Sequence, residues 1–198
     1  MGTSSGGPGP GARDFIVVDD GGSFGYAASE AELLSQLEYP EEAACVVDRS
    51  GNNFDLEEVP DGGLRLAPSI GRADLEWLRR VWHTAQQRNP ADYPLVRPLP
   101  DSDEGFLREL FAVLRLSSGG PDAAAHLGGF WVVNDGGSTS STASLNDMLE
   151  LLAGQRHTES TSVEGPDRRR YRVERERRRG PLGVLRPGRP YLVQTWPV

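Results

Sequence analysis

FIVVDDGGSFGYAASEAELLSQL, residues Phe15 to Leu37, returns as FWVVNDGGSTSSTASLNDMLELL, residues Phe130 to Leu152. Set 115 positions apart without a gap, 11 of the 23 pairs are identical. Self-similarity at a fixed offset is the mark of a repeated supersecondary unit. Each copy opens on an apolar, β-rich run, Phe15–Val18 or Phe130–Val133. Each then reaches the same punctuation, Asp20-Gly21-Gly22-Ser23 or Asp135-Gly136-Gly137-Ser138. Asp-Gly between two strand-like runs is the preferred signal of a two-residue hairpin, because glycine enters positive φ without a Cβ penalty. The expectation is one turn geometry shared by both copies.

Ser29-x-x-Glu32 and Ser144-x-x-Asp147 follow. Both resemble a capping box, and the second is weaker because aspartate is the shorter acid. Leu33, Leu34 and Leu37, against Met148, Leu149 and Leu152, then mark the apolar face of a helix. Three strands are expected after the first helix: Ala43 to Val47, Phe54 to Glu57 and Leu64 to Leu66. Turns at Arg49-Ser50-Gly51-Asn52 and Pro60-Asp61-Gly62-Gly63 separate them. With gaps, Thr161 to Glu164, Tyr171 to Glu176 and Tyr191 to Gln194 take the same parts in the second copy. The fold class expected is α+β: two pseudo-repeated ββαβββ modules with mostly antiparallel sheets, joined by two helices.

Those helices lie in Ala73 to Arg88, with Leu75, Leu78, Trp82 and Ala85 on one stripe, and after Ser102, with Phe106, Leu107, Leu110, Phe111 and Leu114 inward. The proline-bearing stretch Pro90 to Pro100 reads as an exposed connector. The domain reading is a disordered tail at 1–12, a first module with trailing helix at 13–90, a connector with helix at 91–127 and a second module at 128–198. No run approaches the length of a membrane span, and MGTSSGGPGPGA lacks a signal core, so a cytoplasmic, membrane-free protein is expected.

Several chemistries fall away. The chain has 21 arginines and no lysine, which removes Schiff bases, Ser–Lys dyads and the phosphate-loop lysine. Its single cysteine, Cys45, cannot form an internal disulfide and reads as a buried structural thiol. His83, His126 and His157 have no metal-ligand spacing, so no metal, cofactor or catalytic set is assigned. Asp48-Arg49-Ser50-Gly51-Asn52 begins like a calcium loop but lacks the later glycine and acid, leaving a plain hairpin. An enzyme using His83 with Glu76 or Asp74 is the remaining catalytic alternative.

Charge is divided along the chain. Residues 1–127 hold 21 acids and 10 arginines, a net of −11, and residues 128–198 hold 8 acids and 11 arginines, a net of +3, giving the overall −8. Arg168 to Arg179 concentrates eight arginines, but Tyr171 and Val173 alternate with charged neighbours as in a half-buried strand. Nucleic acid is therefore disfavoured, although a partner or RNA contact through this segment is the alternative to the main reading. The acidic half offers Glu41, Glu42, Glu57, Glu58, Asp61, Asp101, Asp103 and Glu104, with Trp77 as an aromatic anchor, as candidate contacts for a basic protein partner. Trp196 is a second surface candidate, whereas Trp82 and Trp131 are expected in the core.

The opening strands, the Ser29-x-x-Glu32 helix with its leucines, and the closing Arg189-Pro190-Tyr191-Leu192-Val193-Gln194-Thr195-Trp196 resemble actinobacterial immunity proteins of polymorphic toxin systems. The resemblance implies a small α+β inhibitor that covers a toxin's active site. The tandem repeat departs from that family's single module, and its glycine-tryptophan hairpin is not evident, so no residue role is carried over. Together with the acidic surface, it points to a non-catalytic cytosolic protein that neutralises or sequesters a protein, such as a basic toxin domain.

Overall fold

The computed structural model describes residues 13–60, 62–90, 92–118, 129–154, 161–179 and 185–195. The chain divides into two compact units, Met1–Trp82 with Ser102–Phe111, and His83–Asp101 with Ala112–Val198.

In the first unit the strands are β1 (Phe15–Asp19), β2 (Phe24–Ala27), β3 (Ala43–Asp48), β4 (Asn52–Glu58) and β5 (Leu64–Arg72), in the order β2-β1-β3-β4-β5. Helix α1 (Glu30–Ser35) follows β2, and a single 3₁₀ turn, Pro40–Glu42, leads into β3. β1 is buried on both faces. Phe15 and Val17 pack with Leu33 of α1, Val46 and Phe54. Phe24, which pairs with Val18 on the opposite face, stacks edge-on against Trp82, ring centroids 5.1 Å apart. Trp82 belongs to α2 (Leu75–Arg88), and α3 (Asp103–Ser117) adds Phe106, Leu107, Leu110 and Phe111 to the buried set. This sheet therefore lies between α1 and the first-unit portions of α2 and α3.

In the second unit the strands are β6 (Leu95–Val96), β7 (Trp131–Asp135), β8 (Ser138–Thr142), β9 (Thr161–Glu164), β10 (Arg170–Arg179) and β11 (Leu185–Gln194). Their order is β6-β11-β10-β9-β7-β8. Helix α4 (Leu145–Gly154) buries Leu145, Met148 and Leu152. These face the side of the sheet that carries Trp131, Val133, Val163, Tyr171 and Leu192, all buried. Every pairing is antiparallel except β6 with β11. The α+β class with mostly antiparallel sheets is thus observed.

Two expectations need correction. The first is the shared turn. Asp19 to Ser23 closes a three-residue loop: Gly22 N–H donates to Asp19 O at 3.0 Å, Asp19 N–H to Ser23 O at 2.9 Å, and Gly22 takes φ 81°. The second copy turns on two residues, Gly136 and Gly137, between the paired Asp135 and Ser138. One residue fewer in the turn slides β7 by one position against its partner, and a slip of one sends every side chain to the other face. Phe15 is fully buried while Phe130, its gapless counterpart, is 61% exposed, and Trp131 occupies the helix-facing position instead. Five strands follow the same order in both sheets, with β6 added at the edge of the second, but the gapless repeat is not reproduced residue for residue.

The second correction is the connector. Tyr93, Leu95 and Arg97 are buried, and β6 runs parallel to β11 with Leu192 N–H donating to Pro94 O at 2.7 Å. Prolines hold the preceding residues extended, and an extended stretch can lie along the free side of β11.

The caps follow the sequence reading with one difference. Glu32 N–H donates to Ser29 Oγ at 3.2 Å, while Glu32 Oε2 accepts from Ala28 N–H at 2.8 Å, one residue upstream of the reciprocal position. Asp147 N–H donates to Ser144 Oγ at 3.1 Å, with no return bond described from the shorter acid.

The β9–β10 turn repeats the three-residue form with a side chain at the left-handed position. Gly165 N–H donates to Arg169 O and Arg168 N–H to Gly165 O, each at 2.8 Å, and Arg168 has φ 61°. For an L-residue that conformation costs about 1–2 kcal/mol. The Arg168 side chain is exposed with no described partner. Arg168→Gly is therefore expected to raise the unfolding free energy by about 1 kcal/mol, the relief being offset partly by glycine's freer unfolded state. A denaturant midpoint that stays put or falls would contradict this.

Cys45 sits buried on β3, as expected. Burial pushes its thiol up to about 11. The unfolded chain releases that proton in the ordinary thiol range, so above it the folded state holds more protons and stability falls as pH rises toward about 11. Cys45→Val should flatten the alkaline limb of a stability–pH profile; parallel limbs would count against the assignment.

Candidate partner-binding site

The β1–β2 turn and the 3₁₀ turn come together because β1 pairs with β3, with Asp19 opposite Ala43. That register brings the tip of one hairpin beside Glu41 and Glu42. Between them lies an open recess of about 670 Å³ whose lining includes Asp19, Asp20, Tyr39, Glu41 and Glu42, together with Val17 and Phe24. It holds four carboxylates and no arginine or histidine. Asp19 Oδ1 accepts Ser23 N–H at 2.7 Å, which fixes the turn. Glu42 Oε2 accepts Glu38 N–H at 3.0 Å, which fixes the approach to β3. No described cation pairs with any of the four. Tyr39 is 56% exposed at the rim. An uncompensated negative recess beside an exposed aromatic ring can receive a guanidinium or ammonium group, by charge and by the ring face.

Of the candidates read from sequence, Glu41 and Glu42 belong to this recess. Asp19, Asp20 and Tyr39 were missed. Their signal was the β1–β3 register, since Asp-Asp at a strand end meets whatever precedes the neighbouring strand. The other acids lie elsewhere. Glu57 on β4 is held by Arg65, Nη2 to Oε2 2.6 Å, an exposed pair of small energetic value. Glu58 ends β4 opposite Leu64. Asp103, at the start of α3, stands 3.6 Å from Arg79, and Glu104 beside it is exposed. Asp101 is exposed and belongs to the second unit. Trp77 on α2 is half-buried. Asp61 and Trp196 lie outside the described residues, as do His126 and His157.

The residues of the catalytic alternative each have a local role. Asp74 Oδ1 accepts Trp77 N–H at 2.9 Å, Glu76 pairs with Arg80 at 3.9 Å, and the His83 ring lies 2.8 Å from Gln87 Nε2. The Asp48 loop forms the plain hairpin, its Oδ1 accepting Ser50 and Asn52 N–H at 2.9 and 3.0 Å.

The arginine run forms β10, with Tyr171 buried and Arg172 exposed, the alternation expected of it. Arg172 pairs with Glu174 at 2.8 Å, and Arg175 donates to Leu152 O at 2.8 Å and Gly188 O at 3.2 Å. Beneath them is a charged centre that sequence reading did not find. The Arg97 side chain is 1% exposed, stands 2.8 Å from Asp167 Oδ2, and donates to the Tyr171 hydroxyl. Burial pushes the Tyr171 hydroxyl far above the usual phenol range, with Arg97 pulling the other way. With the Arg97 side chain enclosed and Tyr171 buried, this centre belongs to the core of the second unit.

Comparison with family models, curated proteins and solved structures finds no match. Among the described residues, no helix is long and apolar enough to cross a membrane.

Proposed function

We propose that the protein is a non-catalytic cytoplasmic binder that neutralises or sequesters a protein partner, in the manner of an immunity protein acting on a basic toxin domain. The observation that carries this reading is the recess of Asp19, Asp20, Glu41 and Glu42, four carboxylates without a cation among their lining neighbours. Carboxylates that line one recess repel one another, and a basic side chain of the partner relieves the repulsion while displacing water from the exposed Tyr39 ring. The test is co-expression with any toxic domain found encoded beside this gene. Growth should be restored by the wild-type chain and lost with Asp20→Lys/Glu41→Lys. Rescue that is indifferent to those charges would count against the recess.

A second reading makes the protein a regulatory or scaffold protein contacting a partner or RNA through Arg168–Arg179. It is favoured by Arg168 and Arg170, both exposed without a described partner for their side chains. It requires salt-dependent RNA retention that disappears with Arg168→Gln/Arg170→Gln.

A further inference from the structure

The second unit ends its sheet on β8, Ser138 to Thr142, whose sequence is Ser-Thr-Ser-Ser-Thr. An edge strand turns the N–H and C=O of alternate residues away from its sheet, and proteins usually blunt such edges with charge, proline, bulges or brevity. Two of the other three described edges carry these devices plainly. β5 contains Pro68, Arg65 and Arg72, and its pairing with β4 shifts register twice. β6 is two residues long. β2 lies along the acidic recess, where Gly25 and Phe24 share a wall with Glu41 and Glu42. β8 has no charge, no proline and an unbroken five-pair register with β7, one pair longer than that of the likewise uncharged β2, which borders the acidic recess. Ser138, Thr139 and Ser141 are exposed.

We propose that β8 is the pairing edge for a second copy of this chain, joining two sheets antiparallel about a two-fold axis at Ser140. The argument for a second copy is self-complementarity. In that register Ser138 meets Thr142 and Thr139 meets Ser141 of the other copy, so small hydroxyl side chains oppose one another, the Thr139 and Thr142 hydroxyls donating to Asn134 Oδ1 and Ser144 O and serving as acceptors for the serines. Ser–Thr cross-strand pairs are favourable, and no like charges are opposed, although the chain as a whole carries −8. The same strand offers a charged or bulky partner segment no complementary group. Both ends of the axis are equivalent, so the contact closes as a dimer and does not propagate. A five-residue strand buries little area, which makes the dimer a weak one. This inference stands independently of the recess.

The experiment is sedimentation of the full chain from micromolar to millimolar concentration, with amide exchange of Thr139 and Ser141 read in parallel. The wild type should pass from monomer to dimer, and the two amides should gain protection as it does. Thr139→Lys/Ser141→Lys places lysine opposite lysine twice and should weaken the dimer by at least about tenfold. Thr139→Val/Ser141→Thr keeps the strand propensity and the uncharged edge, and should still dimerise. A wild type that stays monomeric throughout, or a dimer that tolerates the lysines, overturns the proposal.

Discussion

Replacing Arg97 by alanine is expected to lower the unfolding free energy by about 3–5 kcal/mol, the range for removing one partner of a buried ion pair. The guanidinium is enclosed, bonded to Asp167 and to the Tyr171 hydroxyl, and lies 5.5 Å from the centre of the Tyr171 ring. Its loss strands a carboxylate that is only 17% exposed and leaves a buried hydroxyl without its donor. Arg169, 3.5 Å from Asp167 Oδ2, would take up part of that charge and holds the loss toward the lower end. Arg97→Met/Asp167→Asn removes both charges and fills the stem's volume, so it should recover most of the deficit. Chemical denaturation of the three proteins decides the matter. Equal stabilities for wild type and Arg97→Ala would mean the centre contributes nothing.

Reversing the recess should have the largest functional effect. With Asp20→Lys and Glu41→Lys the local charge changes by four units, from the substitution of two acids by two cations. Association with a basic partner should slow by roughly ten- to a hundredfold at low salt, the scale of electrostatic steering. The wild-type rate should fall as salt is raised, while the variant's rate should be flat or rise. Both positions are exposed, and no described group depends on either side chain, so the fold should be unaffected. A rate unchanged by the substitutions would place the partner elsewhere. By contrast, Glu57→Lys, outside the recess, should leave association nearly as it was.

The hairpin–helix–three-strand order was legible because each element carried its own local signal: apolar alternation, Asp-Gly punctuation and a serine cap. The consequence of one turn residue was not. Asp19-Asp20 and Asn134-Asp135 align without a gap, yet the two loops differ by a residue, and only strand pairing reveals which face Phe130 takes. Arg97 was hidden for a different reason. Its partners lie 70 and 74 residues away, and its proline-rich surroundings resemble a surface linker. The recess was half visible, since Glu41 and Glu42 stood out as acids while Asp19 and Asp20 read as turn formers. Sequence shows what a residue does for its own segment and not what a neighbouring strand brings beside it.

The most direct test of the recess as the binding site is a hydrogen-exchange footprint of the protein in complex with a basic toxic domain that it neutralises on co-expression. Protection confined to residues 19–25 and 39–42, and weakened by added salt, is the predicted result. A complex that leaves those amides as they are in the free protein, and protects β10 instead, would contradict it.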